Sequence, residues 1–331
     1  MSDDDRGLLI ARHHDPAELR RATAAREIER VRRGAYRASR AGTDDPHARA
    51  HDHLVAVHRQ LDAEHVLSHE SAALAWGVPL WETPTTTHVL QRSGASSRSA
   101  LDITRRRGLP ERWVERGGLP ITDLARTVVD CVTTMHPLGG LVVADWALGH
   151  GLDRDDAIGR LAGRRRGVRR ARLVLELAEA RVDPPWETWL RYVALRAGLP
   201  RPQTQLQVDT HAGRFFVDLA WPEHRVLAEF DGRIKYRDGA FGPAYDAEHA
   251  LFDEKVREDA ITEHLGARPL RFVARDARRP DQVARRLLAR FPAQVRRAAR
   301  LNPLLPPPPP PAGTHGGSSG SRRQFELPPR A

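Results

Sequence analysis

The sequence predicts an α/β protein of two domains and a tail. Three observations carry that prediction. The chain has 331 residues, the length of two domains of roughly 100–200 residues each. Beyond residue 180 the pattern runs helix, strand, strand, strand, helix, strand, the order of an α/β core. Before it, residues 6–40 read as short helices followed by a basic tight turn and a strand, the order of a winged helix-turn-helix module. The domains are drawn at 1–180, a winged-helix DNA-binding region of α+β type, and at 181–300, an α/β domain with a central mixed sheet; residues 301–331 are expected to form a disordered tail.

In the first domain Leu8, Leu9 and Ile10 begin the apolar pattern, and Asp15-Pro16 is a helix start with proline at the first helical position. Arg32-Arg33-Gly34-Ala35-Tyr36 is the basic turn entering a strand. Residues 44–76 read as helices. Ser68 is the N-cap of the one filled by Ala72, Ala73, Leu74 and Trp76, which Gly77 and Pro79 stop. Residues 85–92 alternate as a strand, and 98–107, with Arg98, Arg105, Arg106 and Arg107, form a basic strand or sheet edge. Thr122 caps a helix through Val128, Val129 and Val132, and residues 141–148 form a helix around a buried Trp146. The run Arg160, Arg164, Arg165, Arg166, Arg169, Arg170 and Arg172 reads as a face for phosphate contact.

In the second domain a helix over 186–197 ends at Gly198-Leu199-Pro200. Strands follow from Gln205, over 214–221 and over 225–231. A helix over 247–265 is stopped by Gly266, and a strand over 268–273 leads into a last helix over 280–291. The tail carries six consecutive prolines, Pro306 to Pro311, and then Gly316-Gly317-Ser318-Ser319-Gly320, a polyproline segment followed by a flexible one.

Lys plus Arg total 53 against 43 Asp plus Glu, a net charge of +10 that points to a polyanionic partner, with DNA first. The single Cys131 excludes an internal disulfide and any zinc site held by two thiolates of this chain. His47, His51, His53 and His58 have no thiolate nearby and read as helix-surface histidines rather than metal ligands. The start Met1-Ser2-Asp3-Asp4-Asp5 is acidic, unlike a signal peptide. No apolar run reaches the length of about 18 residues that a spanning helix needs. A cytoplasmic protein with no membrane partner and no small-molecule cofactor is expected.

The chemistry concentrates in the second domain. Asp218 lies in the apolar strand Phe215-Phe216-Val217-Asp218-Leu219-Ala220-Trp221. The next strand, Val226-Leu227-Ala228-Glu229-Phe230-Asp231-Gly232, places Glu229 and Asp231 on one face by period-two alternation. A hairpin about residues 222–224 sets Asp218 opposite Glu229. Carboxylates converging on an apolar sheet need a neutralising cation, and Mg²⁺ is the hard ion that takes oxygen ligands. Asp218 and Glu229 are the expected metal ligands. Lys255, in Glu254-Lys255-Val256-Arg257-Glu258-Asp259, is expected to face them and assist the water, with Arg257 on phosphate and Glu187 and Asp231 completing the acidic cluster. Glu187 and Arg191 stand four apart, as an i,i+4 ion pair.

Residues 184–291 resemble the PD-(D/E)XK nuclease superfamily, most closely its very-short-patch-repair-like branch. The resemblance is carried by Glu187-Thr188-Trp189-Leu190-Arg191, Ala197-Gly198-Leu199-Pro200, Val217-Asp218-Leu219-Ala220-Trp221-Pro222, Glu229-Phe230-Asp231-Gly232, Glu254-Lys255-Val256-Arg257-Glu258-Asp259 and Leu270-Arg271. It implies a restriction-endonuclease-like fold and Mg²⁺-dependent hydrolysis of DNA. Glu187 then stands for the acid of the first helix, Asp218 for the motif's Asp and Glu229 for its second acid. Asp231 departs from the pattern, which has Lys there, and Lys255 is taken to supply that amine.

The first domain resembles the AbiEi family of type IV antitoxins. The matching segments are Arg32-Arg33-Gly34-Ala35-Tyr36, Leu67-Ser68-His69-Glu70-Ser71-Ala72-Ala73 and Ile121-Thr122-Asp123-Leu124-Ala125-Arg126-Thr127-Val128-Val129-Asp130. That resemblance implies DNA binding and a cognate toxin as partner. Arg32, Arg33, Arg164, Arg165, Arg166 and Arg257 are the arginines expected on DNA. The rival to the endonuclease is a non-catalytic DNA-binding regulator or antitoxin in which the nuclease fold serves as scaffold.

Overall fold

Strand β1 (Leu8–Ile10) leads through a short 3₁₀ turn, Ala11–His13, into helix α1 (Pro16–Ala24), whose Asp15 cap accepts from Ala17 N at 3.0 Å. The computed structural model describes residues 7–39, 45–92, 100–164, 166–182, 185–231 and 247–311, a mixed α/β architecture in two units. One unit comprises Met1–Thr134 with Leu152–Val168, the other Met135–Gly151 with Arg169–Ala331.

In the first unit, β2 (Ile28–Arg32) and β3 (Ala35–Ala38) form a hairpin about Arg33-Gly34, and β1 adds to it in the order β1-β3-β2, all antiparallel. Gly34, at φ +77°, supplies the left-handed residue of the turn. Helix α2 (Pro46–Gln60) packs Ala56 against Ile10 and Ala35. Then come β4 (His65–Leu67), α3 (His69–Trp76), β5 (Thr87–Gln91), β6 (Ile103–Arg107), β7 (Val114–Arg116), β8 (Leu119–Ile121) and α4 (Leu124–Thr134). The strands make a mixed sheet ordered β6-β5-β4-β8-β7 over a core of Leu54, Val57, Leu67, Val89 and Ile121. The basic strand is an edge, as its arginines require: charge on an edge strand keeps other strands from adding to it.

Three local expectations fail here. Strand β4 interrupts the all-helical reading of 44–76; its three residues are all buried and too few to show a period. Asp123, not Thr122, caps α4, accepting from Arg126 N at 2.9 Å, while the Thr122 and Thr127 hydroxyls meet at 2.7 Å. The Ser68 hydroxyl lies 3.0 Å from His69 Nδ1 instead of capping α3.

The chain then crosses to the second unit for α5 (Pro137–Gly149), returns for α6 (Arg154–Gly159), and continues through α7 (Val168–Leu177), α8 (Pro185–Arg196), β9 (Gln203–Thr210), β10 (Gly213–Trp221), β11 (Val226–Asp231), α9 (Ala247–Leu265), β12 (Leu270–Val273), α10 (Pro280–Leu288) and α11 (Ala293–Ala298). The sheet order is β12-β11-β10-β9, with β10 antiparallel to both neighbours and β11 parallel to β12. A buried ion pair joins α5 to α8. Arg191 donates to Asp145 at 2.5 Å, Thr188 Oγ1 adds a bond at 2.7 Å and Glu179 N one at 2.8 Å. Arg191 is thus turned into the interior, not toward Glu187. Removing one partner of such a pair costs about 3–5 kcal/mol, because the other is left charged and dry.

The division does not fall at residue 180: α5 and most of α7 belong with the C-terminal sheet. Of the expected tail, residues 301–311 are placed against the second unit, and 312–331 lie outside the described residues. Leu305 is buried, Tyr192 donates its hydroxyl to Pro306 O at 2.7 Å, and Gly198 at φ +77° lies so close to Arg300 that a Cβ there would meet its carbonyl oxygen at 2.0 Å.

In the first unit Asp102 accepts from Arg32 at 2.9 and 3.1 Å and stands 2.9 Å from His53, whose other ring nitrogen is 2.8 Å from the Thr87 hydroxyl. The Arg32 hydrogen bonds hold the Asp102 carboxyl down at about 2, against the opposing effect of burial. An acid with a depressed folded-state pKa contributes stability above its unfolded pKa and loses it as pH falls through the folded one. Asp102→Asn is therefore expected to lower the urea midpoint at pH 7, with the gap to wild type closing between about pH 4 and pH 2. An equal gap at both ends of that range refutes the role.

Candidate functional site

The β10–β11 hairpin turns through Pro222–His224, with Arg225 in the left-handed region at φ +51°. Its pairing runs Trp221↔Val226, Ala220↔Leu227, Leu219↔Ala228. One step further along, Asp218 stands across from Glu229 on the same face, because directly opposed residues of an antiparallel pair share a face. Backbone pairing ends there, and Phe230 N donates to Asp218 Oδ2 at 2.7 Å. On the other flank β9 brings Gln205 opposite Asp218, between the pairs Val217↔Leu206 and Leu219↔Thr204. Gln205, at φ +49°, donates from Nε2 to Asp218 Oδ1 at 3.2 Å and to Glu187 Oε2 at 2.7 Å. One amide spends both its hydrogens tying two carboxyls together. Helix α8 presents Glu187 because Trp186 stacks on Phe230 at 4.9 Å and Trp189 meets the same ring edge-on.

Glu229 is buried, and its carboxylate sits in the fork of Arg257, with Oε1 at 2.5 Å and Oε2 at 3.2 Å. Arg257 also donates to Phe216 O at 2.8 Å and lies 3.3 Å from Glu254. Arg271 bridges Glu254 and Glu258 and stands 3.8 Å from Glu229. Burial, reinforced by the charge of Glu229, pushes the Asp218 carboxyl up to about 6.

The structure sets Asp218 across from Glu229 and links Glu187 to Asp218 through Gln205. It does not bring Lys255 to them. Two residues along a helix turn the side chain by roughly 200°, so α9 aims Arg257 at the sheet while Lys255 is exposed in an open groove with Glu254, Glu258, Asp259, Thr262, Arg268 and Arg271. Asp231, half-buried, ends β11 beside Val273. Among the described residues no three or more His, Cys, Asp or Glu side chains converge to hold a metal ion. The donor set as it stands does not fit a divalent ion at Asp218 and Glu229, since both Glu229 oxygens face a guanidinium.

The arginines expected on DNA divide. Arg32 is held by Asp102 and Gln60, Arg164 by Asp130 and Arg257 by Glu229. Arg33 and Arg166 are exposed, and Arg165 lies outside the described residues. Sequence reasoning missed Gln205 and Arg271, whose places depend on strand register. It also missed Arg20, Arg21, Arg26 and Arg30, all exposed around α1 and the β2–β3 hairpin. Their signal was available: Leu19 is the inward residue of α1, so Arg20 and Arg21 turn outward.

No family model matches the chain. It is 33% identical over 135 residues to two uncharacterized proteins of Mycobacterium tuberculosis, Rv2248 of strain H37Rv and MT2308 of strain CDC 1551. The match covers 40% of this chain and 46% of each relative, so the chain spans less than half the length of the curated relatives it matches. The crystal structure of the RV2827C protein from Mycobacterium tuberculosis aligns with a TM-score of 0.35 at 14% identity, covering 52% of this chain and 72% of that one.

Asp218 yields a pH test. For an acid whose folded-state pKa lies above its unfolded value, ionisation opposes folding, fully above the folded pKa and not at all below the unfolded one. Relative to wild type, Asp218→Asn is expected to gain stability as pH rises from about 4 to 7, measured by urea unfolding. A difference independent of pH would show that Asp218 titrates as an ordinary carboxyl.

Proposed function

We propose that the protein is a DNA-binding regulator that grips duplex DNA through α1 and the β2–β3 hairpin, with a nuclease-type sheet as scaffold in its second unit. One observation carries this reading: Arg20, Arg21, Arg26, Arg30 and Arg33 are all exposed around α1 and the hairpin, and among the described residues none of them has an ion-pair partner. Neighbouring Arg32 and Arg37 are neutralised internally, by Asp102 and by Glu29 and Asp52. An uncompensated arginine cluster on a helix and an adjoining hairpin suits a helix in the major groove and a hairpin on the phosphates. The net charge of +10 supports the same partner. Among the described residues no helix is long and apolar enough to cross a membrane. Following the antitoxin resemblance, the bound DNA is the protein's own promoter and the further partner a cognate toxin.

Metal-dependent DNA hydrolysis is the second reading. The opposed Asp218 and Glu229 favour it; the guanidinium on Glu229 and the outward Lys255 weigh against it.

Mobility-shift titration of duplex DNA tests the first reading. The Arg20→Ala/Arg21→Ala/Arg33→Ala variant is expected to bind about tenfold or more weakly, and its log–log salt slope to fall by roughly one unit for each phosphate it no longer neutralises. Unchanged affinity and slope would refute the interface. Plasmid incubated with Mg²⁺ is expected to stay intact. Cleavage by wild type that disappears in Asp218→Asn/Glu229→Gln would establish the hydrolase instead.

A further inference from the structure

We propose that Arg257 is a resident counter-cation. Its guanidinium occupies the place beside Glu229 and Asp218 that a divalent ion would need, so the acidic face is complete without metal and accepts one only when that guanidinium leaves. The inference rests on reading Glu187, Asp218 and Glu229 as a nuclease-type acidic cluster, and it adds what controls access to that cluster.

The argument begins with charge. Asp218 and Glu229 are neighbours on a sheet whose other members here are Val217, Leu219, Ala228 and Phe230. Two such carboxylates cannot both ionise in an apolar setting without a compensating cation. Arg257 supplies one in the strongest geometry available, a two-pronged fork on one carboxylate. The fork is held in place from behind, because the same guanidinium donates to Phe216 O at 2.8 Å and reaches Glu254 at 3.3 Å.

Shared oxygens and like charge then set guanidinium and metal in competition. Mg²⁺ binds carboxylate oxygen at about 2.1 Å in a near-octahedral shell. Each Glu229 oxygen already accepts from a guanidinium nitrogen of Arg257, Oε1 from Nη2 and Oε2 from Nη1. Arg271, 3.8 Å from Glu229 Oε2, adds positive charge on the same side. Displacement nevertheless needs no unpacking of α9. The helix is anchored by Ile261, buried with Val208, Val217, Ala220 and Leu227, whereas the Arg257 side chain keeps 24% of its surface exposed.

Metal binding and thermal stability of the full chain test the proposal. Mn²⁺ binding is read by electron paramagnetic resonance, and Tm is read in EDTA and in Mg²⁺. Wild type is expected to have the same Tm in both and to bind Mn²⁺ weakly. Arg257→Ala is expected to have a lower Tm in EDTA, to recover it in Mg²⁺, and to bind Mn²⁺ roughly tenfold or more tighter, a change of about 1.4 kcal/mol. Arg257→Ala/Glu229→Gln should not show that gain. If Arg257→Ala does not fold, Arg257→Lys, which keeps the charge but breaks the fork, is expected to bind Mn²⁺ more tightly than wild type. Equal Mn²⁺ affinity in wild type and in the Arg257 variant overturns the counter-cation while leaving a cation site in place. Absence of Mn²⁺ binding from both, in protein that is folded, overturns the nuclease-type reading of the cluster itself.

Discussion

A carboxylate in an apolar sheet must be neutralised where it stands, and Glu229 is the residue on which this requirement falls hardest. Water cannot compensate it, so the chain supplies Arg257 from α9 and Arg271 from β12. That demand is met on the face of α9 that the buried Ala260 and Ile261 turn to the sheet. The acids and arginines of Glu254, Arg257, Glu258 and Arg271 interleave as one network, while Lys255 is turned out of it. Asp218 solves the same problem differently, by accepting a backbone N–H and an amide and by holding its proton to a higher pH.

The same economy runs through both units. Asp145 holds Arg191, Asp130 holds Arg126 and Arg164, and Asp102 holds Arg32. Part of the chain's arginine is therefore structural, and the number of arginines overstates what is free to meet a polyanion. The arginines that carry the functional argument are those left over after this internal pairing. One group lies around α1 and the hairpin; in the run at 160–172 Arg160 and Arg164 are paired internally, while Arg166, Arg169 and Arg172 are exposed.

The secondary structure of the C-terminal half was legible because β10 and β11 are apolar runs punctuated by Pro222 and Gly232, and because a hairpin fixes the register of two carboxylates by counting. The opposition of Asp218 and Glu229 follows from that counting alone. What counting does not reach is choice among competing partners. Whether Arg191 turns to Glu187 or to Asp145 depends on where α5 packs, more than forty residues earlier in the chain. Whether Lys255 or Arg257 meets the sheet depends on the rotation of α9, which its polar sequence leaves open and the buried Ala260 and Ile261 decide. The N-terminal half was harder. Its strands are as short as three residues, and its caps were assigned to hydroxyls where a neighbouring Asp or His competed.

The contact of residues 300–306 with Gly198 and Tyr192 sets an order of assembly. Helix α8 brings Glu187 to the sheet, yet its C-terminal end is covered by chain that the ribosome makes a hundred residues later. A nascent chain that has just completed the β10–β11 hairpin still lacks this cover, and the Tyr192 hydroxyl then has no Pro306 carbonyl to meet. Domains fold largely as units during synthesis. This one gains the cover over the C-terminal end of α8 only once residues 300–306 have been made.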